Sequence, residues 1–188
     1  MRAFLDKIVP KMKEIKVVKF PSSHKVALQK IICDMLEVKS IFELNDRFEG
    51  RKFYENYSNK VFGHLAVQKV LFDTMDITKI DHNKTFTGNL NINTHEINVV
   101  TTDFGEFPKI EIVNTAPVIF VFRKDELVYW VLGITPKNVL RDYIKKHILT
   151  DKDIRKKRIS FHDLENVIPI ENIEDVEDIL NKSELDLI

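Results

Sequence analysis

The sequence predicts an α+β fold, in which a central mixed β-sheet of four or five strands is flanked by helices and preceded by an N-terminal helical segment. Three observations support this fold class. Apolar residues recur at helical spacing through the first 76 of the 188 residues. Segments rich in β-branched and aromatic residues follow, with Gly and Pro between them. A further helical pattern comes directly after the last of these segments.

The chain divides into three expected parts. Residues 1–50 form an N-terminal helical segment, and residues 51–170 form the core domain. Residues 171–188 form an acidic C-terminal helix or tail. The divisions follow the change from helical to β-rich patterns and the acidic character of the last segment.

Four helices are expected before the sheet. Residues 4–15 favour a short helix, and either Ser22 or Ser23 can cap a second one. Gly50 is suited to end a third helix. Ser58 is suited to cap a fourth, whose apolar residues form a continuous stripe.

The β-rich part begins after Asp76. Its β-rich segments are DITKID, FTGNLNINTHEINVVTTDFGEF, KIEIVN, PVIFVF and LVYWVLGI. Thr135 followed by Pro136 predicts a helix cap with proline in the first turn, so PKNVLRDYIKKHIL is expected to be helical. A last helix is expected to begin near Glu171.

Composition and motifs argue against several functional classes. Twenty-nine basic residues balance 29 acidic ones, so net charge indicates neither a nucleic-acid nor a membrane partner. Cys33 is the single cysteine, which is typical of a reducing compartment. No apolar run approaches the ~20 residues that span a bilayer. We therefore expect a cytoplasmic protein with no membrane partner. The chain also lacks the GxSxG, GxxxxGK[ST], GxGxxG and HExxH patterns, which argues against a serine hydrolase, a P-loop NTPase, a Rossmann protein and a zincin.

Two carboxylates in the β-rich part carry the main functional prediction. Glu96 lies in one predicted strand and Glu111 in another, and the chain turns between them through Asp103-Phe104-Gly105. If the two strands pair antiparallel, both carboxylates could converge on one cation. Two acidic oxygen ligands suit Mg²⁺, which keeps several waters and can activate one of them against a phosphodiester.

A helix, a hairpin and a strand between residues 58 and 165 form one wider pattern. The helix contains GHLAVQKVL, the hairpin holds an acidic residue, and KIEIVN places an acid two positions after a lysine. This pattern resembles the PD-(D/E)XK nuclease superfamily, also called restriction-endonuclease-like. The segment PVIFVFRKDELVYWVLGITPKNVLRDYI is similar to the strands and capped helix that close that core, and RISFHDLENVIPI resembles a late segment of some phage-encoded members.

The resemblance implies a Mg²⁺-dependent DNA endonuclease and gives roles to individual residues. Glu96 and Glu111 would hold the metal, with Asp103 as the alternative to Glu96. The lysine of the family pattern stands two residues after the second acid, where this chain has Val113. Lys109 lies on the same strand face as Glu111 and would instead assist the attacking water.

The segment from residue 145 to residue 158 is rich in basic side chains. Such side chains could hold the phosphate backbone of DNA without reading its sequence. Asp151 and Asp153 dilute the charge, so a solvated helix end and loop is the alternative. The predicted nucleic-acid-binding residues are Lys145, Lys146, Lys152, Arg155, Lys156, Lys157 and Arg158.

Two other functions stay open. Val113 in the lysine position favours a catalytically inactive nuclease-like domain that binds nucleic acid or protein. The acidic segment IENIEDVEDIL favours a small interaction protein that docks this helix on a protein partner. The resemblance to phage-encoded members implies that such a protein would be phage-encoded. Neither function requires metal or cleavage, and this separates both from the nuclease.

Overall fold

A computed structural model of the protein describes residues 1–113 and 116–185. The helices are α1 (Arg2–Ile8), α2 (Ser22–Leu36), α3 (Ile41–Asp46), α4 (Gly50–Phe72), α5 (Lys137–Lys146), α6 (Asp151–Lys156) and α7 (Ile173–Leu185). The strands are β1 (Lys16–Lys19), β2 (Leu90–Ile92), β3 (His95–Asp103), β4 (Lys109–Glu111), β5 (Val118–Asp125), β6 (Val128–Thr135) and β7 (Arg158–Ser160). Asn114 of KIEIVN and residues 186–188 of the predicted tail lie outside the described residues.

Five of these strands form one mixed sheet in the order β1-β6-β5-β3-β2. β3 and β5 run parallel, whereas the other neighbouring pairs in this sheet are antiparallel. β4 and β7 pair antiparallel in a small separate sheet. The predicted α+β fold with a central mixed sheet is therefore confirmed.

The two faces of the large sheet belong to separate hydrophobic cores. In β5, Ile119 and Val121 lie in the core that includes α4, whereas Phe120 and Phe122 lie in the core that includes α1 and α5. Both faces of this strand are buried, which explains why PVIFVF is an unbroken apolar run. Phe4 brings α1 into the second core through edge-to-face contact with Phe122.

α4 packs across the sheet and positions one side of the functional region. Its buried stripe includes Leu65 and Ala66, and Gly63 lies directly against β3. A Cβ atom on Gly63 would lie only 1.9 Å from the Oγ1 atom of Thr101, so this close approach requires glycine.

Although α4 has 23 residues, it is not apolar enough for a bilayer. The same holds for every other helix within the described residues.

The N-terminal segment differs from the prediction in two respects. Its residues KVVK form β1, which pairs with β6 at the edge of the sheet. A four-residue strand is too short for alternation to distinguish it from a loop. α2 begins at Ser22 with Pro21 in the N-cap position, so neither Ser22 nor Ser23 caps it.

Three other predicted helix boundaries are wrong. Gly50 begins α4 instead of ending α3, and a Cβ atom there would lie 1.8 Å from the carbonyl oxygen of Leu44, so the position requires glycine. Ser58 is buried in the middle of α4 and does not cap it. Thr135 ends β6, and Pro136 takes the N-cap position of α5.

Candidate functional site

A cleft of about 850 Å³ opens along β3, where it is lined also by α4 and by the small β4–β7 sheet. Its lining is dominated by polar side chains, four of them asparagines. Such a surface suits a polar ligand more than an apolar one. The polar lining residues include Asn56, Asn59, Lys60, Asn89, Glu96, Asn98, Thr101, Asp103, Glu106, Lys109, Glu111 and Arg158.

One edge of β3 is open in this cleft. Residues 98–103 pair with β5 on one side, whereas β2 pairs on the other side only as far as Ile97. Among the described residues, no strand pairs with this second edge between Asn98 and Asp103. The open edge is therefore six residues long, or about 20 Å at the usual rise of a strand.

The direction of each backbone group along β3 follows from two hydrogen bonds. The N–H of Asn98 donates to the carbonyl of Pro117 at 2.9 Å, and the N–H of Phe104 donates to the carbonyl of Arg123 at 2.9 Å. The backbone N–H and carbonyl groups of every second residue in a strand point toward the same neighbouring strand. The backbone groups of the even-numbered residues from Asn98 to Phe104 therefore point toward β5. The N–H groups of Val99, Thr101 and Asp103 therefore point toward the cleft, as do the carbonyls of Val99 and Thr101.

The predicted catalytic hairpin does not form. Glu96 and Glu111 both line the cleft, but they lie on strands of two different sheets. β3 pairs with β2 and β5, and β4 pairs with β7, so the expected antiparallel pairing of the two acidic strands is wrong. Glu96 accepts a hydrogen bond from Asn89 at 2.9 Å, and Glu111 is bonded to Arg158 at 3.1 Å.

Asp103 belongs to a network that joins three elements. Arg123 of β5 donates through Nε to Asp103 Oδ1 at 2.7 Å and through Nη1 to Asn59 Oδ1 of α4 at 3.0 Å. Burial disfavours the charged guanidinium, but the hydrogen bond and charge of Asp103 outweigh it and hold the pKa of Arg123 above its ordinary value. This network fixes the end of β3 against α4.

The structure brings the predicted metal ligands to one cleft, but each already has a partner in the protein. Glu96 accepts a hydrogen bond from an asparagine, and Asp103 and Glu111 each accept one from an arginine. Among the described residues, no group of three or more His, Cys, Asp and Glu side chains is arranged to hold a metal ion. A cation at Glu111 would first have to displace Arg158.

Lys109 lies in the cleft lining without an ion pair to any described residue. The predicted alternation of its strand is confirmed, because Ile110 is buried between exposed Lys109 and Glu111. Val113, which stands in the lysine position of the family pattern, is 79% exposed. Lys109 is therefore the cation of this strand that is available to a ligand.

The predicted basic cluster surrounds α6 and leads into β7. Its seven side chains are exposed, and a capping box between Thr150 and Asp153 fixes the start of α6. Arg158 extends the cluster into the cleft through its pair with Glu111. Lys145 pairs with Asp142 at 3.6 Å. The cluster thus adjoins one wall of the cleft.

The acidic C-terminal segment forms a helix, α7, that packs on the protein itself. Val176 and Leu180 are buried in the core that includes α4. Asn93 donates a hydrogen bond to Glu177 at 2.8 Å, and Lys16 pairs with Glu171 at 2.5 Å. The apolar side chains of α7 as far as Leu180 therefore pack on the protein, and Glu174 and Asp178 face solvent.

Several residues of the cleft were not predicted from the sequence. Asn56, Asn59 and Lys60 have the spacing of neighbours on one helix face, a signal that points to a shared polar surface. Asn89 and Asn98 carry no comparable signal. Comparisons with known protein families, with curated proteins and with solved structures find no match to this chain.

Proposed function

We propose that the protein is a non-catalytic binding module that takes an extended segment of a partner protein into the cleft as an added strand on β3. The open edge of β3 carries this proposal. Unpaired strand edges bind other extended chains through backbone hydrogen bonds, and soluble proteins normally cover or interrupt them. Here the edge is recessed between α4 and the β4–β7 sheet. A single strand can therefore reach it, whereas a whole second sheet cannot.

The backbone groups that point into the cleft set the register of the added strand. A peptide strand would pair with the free N–H and carbonyl groups of Val99 and Thr101 and with the N–H of Asp103. The carbonyl of Asp103 already accepts a hydrogen bond from the N–H of Glu106 at 3.1 Å, so the pairing ends there. Each bond contributes roughly 1 kcal/mol net, which gives an affinity that depends little on peptide sequence.

The side chains around the edge would select a polar segment. Asparagines from α4 and from β3 offer both donors and acceptors, and the lining also includes two lysines, Lys60 and Lys109, and the carboxylates of Glu96 and Glu106. Mixed charges disfavour a strongly acidic or strongly basic peptide. The partner segment is expected to be extended and polar, with alternate side chains directed toward α4 and toward the small sheet.

A library of displayed random peptides, each about eight residues long, tests this function because a strand of that length covers the open edge. We expect selected peptides to bind in the micromolar range and to slow amide exchange at Val99 and Thr101. Val99→Pro, which removes one cleft-facing donor, should weaken binding about tenfold or more. Peptides that bind Val99→Pro and the parent equally would rule out strand addition.

A metal-dependent DNA endonuclease is the second candidate, because the same cleft gathers the predicted catalytic residues. Glu96, Asp103, Lys109 and Glu111 line it, and the adjoining basic cluster would hold the DNA backbone. Mg²⁺ would bind Glu96 and Glu111 after Asn89 and Arg158 release them. The resemblance to PD-(D/E)XK nucleases favours this activity.

Calorimetric titration of Mg²⁺ and Mn²⁺, followed by incubation with plasmid DNA, tests the nuclease. If the protein is this enzyme, Glu111→Ala should lose both metal binding and cleavage, whereas Glu171→Ala, outside the cleft, should keep both. Lys156→Glu should weaken DNA binding and flatten its salt dependence, with Lys182→Glu on α7 as the matched control. Cleavage by Glu111→Ala at the parent rate would exclude this activity.

The single cysteine of the chain, Cys33, bears on the compartment. Cys33 is half-buried, and burial raises the pKa of its thiol, so it stays in the unreactive protonated form. We therefore propose a cytoplasmic location, where no disulfide is required. In the cytoplasm the cleft would be accessible to either a peptide segment or DNA. We propose no membrane partner.

A further inference from the structure

A second cavity, of about 340 Å³, shares no lining residue with the cleft. It lies where α2, α4 and the β5–β6 hairpin meet. Three cationic side chains, Lys25, Arg51 and Arg123, line it together with two carboxylates. Phe62 and Tyr129 give it an apolar wall. The cavity is therefore distinct from the cleft, although Arg123 also bonds to Asp103 and Asn59 of the cleft.

Two of the cations are held only by exposed ion pairs. Lys25 pairs with Glu126 at 2.5 Å, and Arg51 pairs with Glu55 at 2.9 Å. The side chains of Glu126 and Arg51 are 63% and 78% exposed, respectively. Pairs of this kind contribute little to stability, so an anion that enters the cavity can compete for both cations.

The third cation is already oriented. Arg123 uses Nε and Nη1 for Asp103 and Asn59, whereas its Nη2 makes no hydrogen bond to any described residue. The two bonds fix the plane of the guanidinium, so the remaining donor group needs no further ordering to bind an anion. The N–H groups on Nη2 can therefore donate to an oxygen of a bound phosphate.

Ser58 supplies an independent indication of a ligand. It lines the cavity and is only 8% exposed, and its buried Oγ atom has no hydrogen-bond partner among the described residues. A buried hydroxyl without a partner is costly, and serine within a helix normally bonds to a preceding carbonyl instead. An acceptor bound in the cavity would satisfy this hydroxyl.

We propose that the second cavity binds a phosphate group, either free phosphate or a phosphate carried on a small molecule. Lys25, Arg51 and Arg123 would neutralise its charge, and the Ser58 hydroxyl would donate to one of its oxygens. A tetrahedral oxyanion can accept from all four groups at once, which a planar carboxylate does less well. The wall formed by Phe62 and Tyr129 would hold the organic part of a phosphate ester.

Amide NMR titrations with inorganic phosphate, phenyl phosphate and acetate, at constant ionic strength, test this proposal. We expect saturable shifts at Ser58, Phe62 and Arg123 with both phosphates and weaker binding of acetate. Tighter binding of phenyl phosphate indicates an ester ligand, and tighter binding of inorganic phosphate indicates the free ion. Both results support a phosphate site.

Variants of exposed and buried residues provide the control. Arg51→Ala should weaken phosphate binding roughly five- to tenfold, whereas Lys52→Ala, on the same helix and outside the cavity, should leave it unchanged. Ser58→Ala should also weaken binding, with no loss of thermal stability in the free protein. The proposal is overturned if the parent shows no saturable phosphate binding, if acetate binds equally well, or if Arg51→Ala and Lys52→Ala behave alike.

Discussion

His64 is a titratable residue whose charge is fixed by its position in α4. It is 8% exposed, and its Nδ1 donates a hydrogen bond to the carbonyl of Gly88 at 3.1 Å. Burial lowers the pKa of the imidazole, and the backbone hydrogen bonds around it only partly oppose this. The side chain is therefore neutral in the folded protein at neutral pH, and it ties the loop before β2 to α4.

The free energy of unfolding should fall as the pH drops from about 7 to about 5, because the unfolded imidazole, with a pKa of about 6.5, takes up a proton more readily than the buried one. Above that range the imidazole of His64 is neutral in both the folded and the unfolded state, so its contribution to the free energy of unfolding has its full value. His64→Gln keeps a donor for Gly88 but cannot titrate. Denaturation curves at several pH values should therefore show a smaller loss in this variant.

His162, whose pKa burial also lowers, contributes in the same direction in both proteins. The difference between the two pH curves therefore isolates His64. Identical curves for His64→Gln and the parent would contradict the assignment.

Gly63 sets the distance between α4 and β3. Gly63→Ala should lower the free energy of unfolding by about 1–3 kcal/mol, because the added methyl overlaps the side chain of Thr101. The Oγ1 atom of Thr101 is buried without a hydrogen-bond partner among the described residues, so Thr101→Ala removes the overlap without breaking such a bond. Urea denaturation should show partial recovery in the double variant, and full additivity of the two changes would argue against this contact.

At the scale of elements, several strands were predictable but their partners were not. Alternation correctly placed Ile110 inside and Lys109 and Glu111 outside, because this pattern is local to one strand. The partner of Glu111 is Arg158, 47 residues further along the chain in the three-residue strand β7. Because β7 is too short to carry a periodic signal, the sequence pointed instead to the nearer strand of Glu96 as the partner of the Glu111 strand. That pairing is incorrect.

Proline substitutions at neighbouring valines distinguish the two edges of β3. The N–H of Val100 faces β5, so Val100→Pro should cost about 2–3 kcal/mol more than Val100→Ala in the free energy of unfolding. The N–H of Val99 faces the cleft, so Val99→Pro should stay within about 1 kcal/mol of Val99→Ala. Chemical denaturation of the four variants measures both differences, and equal costs at the two positions would contradict the assigned direction of the strand.

At the scale of the whole molecule, the fold class was predictable because helical and strand patterns are local and sum to an α+β architecture. The cleft was not, since an open edge depends on which strands fail to pair, a property of the complete sheet. The contacts among Asn59, Asp103 and Arg123 likewise join three elements far apart in sequence. The predicted acids do reach the same cleft, but in a different arrangement from that of a catalytic hairpin.

Amide hydrogen exchange along β3, measured by NMR on the free protein, tests the open edge most directly. We expect alternating protection: slow exchange at the amides of Asn98, Val100 and Thr102, which point toward β5, and fast exchange at the amides of Val99 and Thr101, which point toward the cleft. Uniformly slow exchange across these residues would mean that the edge is already paired, and the proposed binding of a partner strand would then be wrong.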